Sequence, residues 1–303
     1  MCQVILTISF CYGILASLFF AFTFLLNRSM NLSGGYWLWS ACLRYLFTLP
    51  ILLFIVWKQH GLMEILLEIR ANLGKWILWS TVGFGLFYLP LTLASVYGES
   101  WFVAATWQIT IVAGILLTPL FGKKIPIKNL IWSGVILFGI FLLQTTHFAR
   151  MQSNGMLQAW ALILLAAFSY PLGNRKMMIY CSDRYSTVQR VFGMTLCSMP
   201  FWVSLSFLAG ITKGMPSTGQ IGQSLLVAVF SGVIATVLFF AATTMVKDNQ
   251  KHLALVEATQ AGEVLFTLLG GILLLGDQLP TTAGFVGILI IVAGMIGNSF
   301  AAV

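Results

Sequence analysis

Ten apolar runs of 17 to 26 residues follow one another along this chain of 303 residues, and no interval between them is long enough for a soluble domain. A helix rises about 1.5 Å per residue, so roughly 20 apolar residues cross a hydrocarbon core about 30 Å thick. The runs are Val4–Leu26, Tyr36–Trp57, Trp76–Tyr97, Ser100–Phe121, Leu130–His147, Met156–Leu172, Val188–Leu208, Ile221–Val246, Leu253–Leu275 and Thr281–Ala302. They predict an all-α polytopic membrane protein with ten transmembrane helices. With 59% hydrophobic and only 8% charged residues and a mean hydropathy of +0.95, the chain lies far from soluble domains of ordinary composition. The first run is too long for a signal-peptide core and reads as a span.

Basic residues fall between the spans and give an orientation. With a cytoplasmic N-terminus, the even-numbered connections hold Lys58, Arg70, Lys75, Lys123, Lys124, Lys128, Arg175, Lys176, Arg184, Lys247 and Lys251, which is 11 of 16. The other side holds Arg28, Arg150 and Lys213. Such a bias predicts a multi-pass protein of the cell membrane with both termini cytoplasmic. The net charge of +8 is thereby a matter of topology, and no nucleic-acid partner is expected. Trp37, Trp39, Trp57, Trp76, Trp101 and Trp160, near span ends, read as interfacial anchors. In the longest connection, Leu62, Ile65, Leu66, Ile69 and Leu73 recur at helical spacing, as in a short helix lying on the membrane surface.

The two halves repeat. AFTFLLNRSM at 21–30 matches AFSYPLGNRKM at 167–177 with one inserted glycine. Pro50, Gly83, Ala105-Thr106 and Pro126 then correspond to Pro200, Gly232, Ala258-Thr259 and Pro280, at offsets of 150, 149, 153 and 154. Each copy has five spans, an odd number, so the second copy crosses the membrane in the opposite sense. The expected organisation is a first five-helix repeat over 1–150 and an inverted one over 151–303. Inverted repeats recur in secondary transporters, with substrate near the midplane between the repeats.

Ten helices as inverted repeats, the Asn-Arg pair ending spans one and six, and the block EATQAGEVLFTLLGGILLLGDQLP resemble the drug/metabolite transporter superfamily (EamA-like), most of all its multidrug-resistance efflux branch. That resemblance covers nearly the whole chain and implies export of drugs or metabolites. In that pattern the turn between the last two spans usually carries a glutamate; here Asp277 stands there, and Lys123-Lys124 occupies the corresponding turn of the first repeat. Both turns read as structural.

Candidate site residues are polar groups at midplane depth. Glu263 lies about 15 Å along span nine, where an acid usually faces protein or water. Thr259 and Thr267 share its i, i+4, i+8 face. Arg44 lies about 12 Å into span two and is the only other deep charge, either paired with Glu263 or snorkelling outward. Trp107 and Gln108 in span four, with Tyr88 and the kink-forming Pro90 in span three, suit a pocket for aromatic or amine-bearing compounds. Glu257 and Arg190, nearer the cytoplasmic rim, read as structural.

The expectation is therefore a secondary-active exporter of small hydrophobic or amphipathic compounds, working by alternating access in a cavity bounded by spans three, four, eight and nine. Its alternative is an uncoupled or exchange carrier for amino acids or related metabolites. Proton exchange through Glu263 supplies the coupling, and no other cofactor is expected. The five cysteines are scattered and the three histidines isolated, so neither a disulfide framework nor a metal site is indicated, nor an intramembrane enzyme. No nucleotide-binding loop is present. Small residues of the last span, including Gly287, Gly294 and Gly297, suit packing on span five. Monomer and homodimer both stay open.

Overall fold

The computed structural model describes residues 2–122, 124–148, 153–181, 184–246 and 249–301, and these residues form helices and connections without a strand. Lys123, Arg150 and Lys247, used above for orientation, lie outside the described residues. Helices α1 (Cys2–Leu32) and α2 (Trp37–Lys58) are followed by the short α3 (Leu62–Ala71). A single run from Leu73 to Ala94 then comprises α4 (Leu73–Ser80), a π-helical stretch (Thr81–Gly85) and α5 (Leu86–Ala94). Next come α6 (Ser100–Trp107), α7 (Ile109–Leu116), α8 (Ile127–Phe148), α9 (Ser153–Cys181) and α10 (Thr187–Lys213). A second interrupted run holds α11 (Thr218–Val227), a π-helical stretch (Ala228–Ala235) and α12 (Thr236–Met245). The chain closes with α13 (Gln250–Ala258), a 3-10 turn (Thr259–Ala261), α14 (Gly262–Leu275) and α15 (Thr282–Ala301).

Seven helical runs among the described residues are long and apolar enough to cross a membrane, and Ser100–Leu116 and Ile127–Leu143 are shorter apolar helices. Their outward faces carry large apolar side chains, among them Ile131, Phe138, Phe207, Leu273 and Leu274, all more than half exposed. A soluble protein seldom shows so much contiguous apolar surface, whereas hydrocarbon surroundings favour it. The interior meanwhile collects Ser, Thr, Asn and Gln side chains that bond to one another or to helix carbonyls.

Close packing is carried by small residues. A methyl group added at Gly173 of α9 would collide with the backbone of Gly83 in the first π-helical stretch. Helix α15 lies against α8 through Gly287, Gly294 and Gly297, where Cβ atoms would meet the Gly139 carbonyl, Ile136 and the Trp132 ring. The contact with α8 is the one expected of the last span.

Three expectations are corrected. Trp76 and Trp101 are not interfacial anchors: both are fully buried, the Trp76 ring lying where a side chain at Gly193 would stand and Trp101 donating to the Gln278 carbonyl at 3.1 Å. Trp57, over half exposed, keeps an outward position. Of the apolar positions in the connector, Ile65 and Ile69 turn inward towards α10, while Leu66 and Leu73 turn outward. Spans four and nine are not continuous α-helices, because α6 and α7 are separated at Gln108 and α13 and α14 by the 3-10 turn.

Candidate functional site

A cavity of about 360 Å³ lies in the middle of the bundle. It is bounded by more helices than spans three, four, eight and nine: α1, α2, α9, α10 and α15 also contribute, through residues such as Thr23, Arg44, Tyr170, Thr195 and Met295. Interrupted helices open it. The π-helical stretch Ala228–Ala235 contributes Ser231 and Gly232, and a π turn inserts one residue more than the α ladder needs, which turns the next side chains onto a new face. Thr236, Phe239 and Phe240 follow it on the wall.

Four of the seven sequence-derived binding residues meet on this wall: Arg44, Trp107, Gln108 and Glu263. The Trp107 ring packs with Phe87 and Tyr170, at centroid distances of 5.1 and 5.7 Å, and those two rings are 4.8 Å apart. Gln108 Nε2 donates to the Ala104 carbonyl at 3.1 Å. Arg44 Cζ sits 4.0 Å from the Tyr88 ring centroid, a cation–π contact, and Nη2 donates to Ser231 at 3.3 Å. Nη1 is buried and has no acceptor among the described residues. Arg44 does not snorkel; its nearest ring partners are inside the bundle.

Glu263 is 9% exposed, and its carboxylate makes no hydrogen bond or ion pair among the described residues. Arg44 and Glu263 share the cavity without an ion pair between them. Tyr170 stands within the electric field of both.

Tyr88, Thr259 and Thr267 are off the wall. Tyr88 is fully buried behind Arg44, where its hydroxyl bonds Asn27 at 3.0 Å. Thr259 and Thr267 turn back on their own helix, donating to the carbonyls of Val256 and Glu263 at 2.6 and 2.7 Å. The 3-10 turn explains the change of face: at three residues per turn Gln260 aligns with Glu263 in place of Thr259. Glu257 is exposed and Arg190 half-buried, both away from the wall.

Gln260 lies off the i+4 spacing, three positions before the acid, and its Nε2 is buried without a partner among the described residues. Tyr45, Tyr170 and Asn174 were also missed. For the last two the signal was present in the repeated motif itself, which ends span six with Tyr170 and Asn174.

Polar side chains of α1 tie that helix to its neighbours at the cavity and beyond it. Thr23 and Ser231 hydroxyls are 2.5 Å apart, Asn27 reaches Tyr88, and Asn31 Nδ2 donates to Ser95 at 2.7 Å. Beyond them Arg28 Nε lies 3.6 Å from Asp277 Oδ1. In the other direction the wall runs into an apolar groove between α2, α10 and α12, sharing Val191, Gly232, Thr236 and Phe240.

The sequence model of the family described as "EmrE: Putative multidrug resistance efflux transporter" matches residues 7–303. The chain is 50% identical over 302 residues to "Uncharacterized protein YjlA" of Bacillus subtilis (strain 168), covering 95% of this chain and 93% of that protein. It is 47% identical over 261 residues to an uncharacterized 42.1 kDa protein of Shouchella clausii, encoded in the 3' region of an intracellular alkaline protease, covering 83% and 69%. A protein of solved crystal structure superposes with a TM-score of 0.65 over 97% of each chain at 15% identity, a likeness of fold alone.

Proposed function

The chain belongs to the EmrE family of multidrug resistance efflux transporters and is a membrane transporter, and on that premise we propose that it is a secondary-active exporter in which Glu263 exchanges a proton against substrate. The observation that carries this reading is a carboxylate, nine-tenths buried and without a protein partner among the described residues, facing the central cavity. Such a group gains from protonation when the cavity is empty and from ionisation when a cationic group arrives.

Ten spans arranged as two inverted repeats, 1–150 and 151–303, supply the alternating-access scaffold. The most extensive helix contacts support this organisation, because they are preserved when each span is exchanged for its counterpart five spans away. Helix α1 touches α14 as α9 touches α7, and α1 touches α12 as α9 touches α5. The pairs α2 with α10 and α8 with α15 map onto themselves. Spans three and eight each carry a π-helical stretch, and spans four and nine are each interrupted.

With both termini in the cytoplasm, the end where Thr23, Asn27 and Asn31 tie α1 to its neighbours faces outward and the conformation is inward-facing. Substrates are small amphipathic compounds that fit a cavity of about 360 Å³ with aromatic walls.

The test is flux in proteoliposomes with and without a pH gradient, using compounds selected by thermal stabilisation. Wild-type protein is expected to accelerate transport at least tenfold when the gradient is imposed. Glu263→Gln is expected to lose that acceleration. Full gradient-driven flux in the variant sinks the coupling role. Flux that instead depends on substrate on the far side favours the exchange carrier.

A further inference from the structure

The two charges on the cavity wall have opposite sign and do not neutralise each other. Among the described residues the only ion pair is Arg28 with Asp277, near one end of the bundle. Arg44 keeps its charge at any accessible pH, so protonation cannot relieve it as it can a carboxylate. Its surroundings are neutral: the Tyr88 ring 4.0 Å away, the Tyr45 ring at 5.7 Å, and the Ser231 hydroxyl at 3.3 Å from Nη2. Nη1 has no acceptor among the described residues. A guanidinium held over an aromatic ring, with one of its nitrogens unspent, can take a planar anion. Glu263 is the converse. Its carboxylate has no donor among the described residues, and Gln260 is its neighbour on the wall.

We propose that the cavity binds zwitterions, with Arg44 taking a carboxylate or similar anionic group, Glu263 taking an ammonium group, and the Phe87–Trp107–Tyr170 cluster receiving an aromatic or apolar body. This deepens the transport reading and rests on it only for the use made of the site. A compound bearing positive charge alone satisfies Glu263 but meets uncompensated repulsion from Arg44. One bearing negative charge alone meets the reverse. A zwitterion offers each wall charge its complement, so the desolvation of four charges is offset by two pairings. Tyr88 is a positioning residue here: it holds Arg44 from behind and does not reach the cavity.

The experiment measures binding to the purified full-length protein in detergent, by direct titration and by thermal shift, with three matched sets of ligands. Tryptophan is compared with tryptamine and indole-3-propionate, phenylalanine with phenethylamine and 3-phenylpropionate, and leucine with isoamylamine and 4-methylpentanoate. At least one amino acid is expected to bind tenfold or more tightly than both of its singly charged relatives. Arg44→Gln should lower its affinity at least tenfold while leaving the matching amine unchanged or tighter, and Arg44→Lys should restore part of the loss. No tenfold preference in any set, whether through equal binding or none, overturns the proposal on wild-type protein alone, independent of how the variants fold. Zwitterion preference without proton-driven flux defeats the coupling reading and leaves this one standing. Proton-driven flux of amines with no zwitterion preference does the opposite.

Discussion

Asp277 accepts two hydrogen bonds from Ser100, from its backbone N–H at 2.9 Å and its hydroxyl at 2.5 Å. Ser100 is the first residue of α6, whose leading N–H groups have no acceptor within the helix, so a carboxylate from the turn after α14 caps a helix far away in sequence. Arg28 of α1 joins them, 3.6 Å from the other carboxylate oxygen. Three helices therefore meet on one side chain, and the expectation that this turn is structural gains a geometry.

Asp277→Ala strands a buried N–H and removes the counter-charge of Arg28. It should lower stability by about 2–3 kcal/mol. Asp277→Asn keeps an acceptor for Ser100 and should cost about half as much. Thermal unfolding in detergent measures both, and an alanine variant as stable as wild type would refute the clamp.

The contact between α9 and the π-helical stretch Thr81–Gly85 has no room for a methyl group at Gly173, where the Gly83 backbone and the Trp79 carbonyl stand in the way. Backbone cannot rotate aside as a flexible side chain can, so Gly173→Ala should destabilise by about 2–3 kcal/mol. Nothing stands within 4 Å of a methyl group at Gly134 on α8. Gly134→Ala should be neutral or stabilising by up to about 1 kcal/mol. Similar melting temperatures for the two variants would remove the case for a tight crossing.

Helix α3 is docked by its acids. Glu68 accepts from the Tyr180 and Tyr185 hydroxyls at 2.6 and 3.2 Å, and Glu64 accepts from Gln189 Nε2 at 3.2 Å. Burial and then the Glu68 carboxylate hold the Tyr185 phenol above its ordinary range. A raised phenol favours the neutral form in the fold, so its contribution is intact below about pH 10, the unfolded value, and is lost as pH rises through the folded value. Glu68→Gln should cost about 1–2 kcal/mol at neutral pH and lessen the alkaline fall in melting temperature. An unchanged alkaline profile in this variant would show that the phenol is not held by Glu68.

Helical content and membrane-spanning runs were legible because burial in hydrocarbon leaves a coarse signature, long apolar stretches bounded by charge. Glu263, Arg44, Trp107 and Gln108 were legible for a related reason, since a polar residue deep in such a stretch needs a local explanation. Tyr88 was found but given the wrong surface, because depth along a helix does not say which side of a neighbouring side chain it occupies. Thr259 and Thr267 were misassigned by assuming an unbroken α-helix, which the 3-10 turn at Thr259–Ala261 rotates out of register. Gln260 and Tyr45 were not singled out, since one lies three residues before the acid, off the i+4 spacing, and the other beside an arginine in an aromatic-rich helix. Neither Trp76 nor Trp101 could be told from a lipid-facing tryptophan, because burial between helices and exposure to hydrocarbon select the same residue types.

The π-helical stretch Ala228–Ala235 also fixes the phase of everything after it. One residue in an α-helix is worth about 100° of rotation, so a single-residue deletion between Ala228 and Ala235 would straighten the ladder and swing the inner half of this span by about that angle. Thr236, Phe239 and Phe240 would leave the cavity for the lipid face, and three other side chains would take their turn inside. The chamber's chemistry is thus encoded as much by how many residues precede a position as by which residue occupies it, and a frame-preserving codon loss there would repaint one wall by rotation alone.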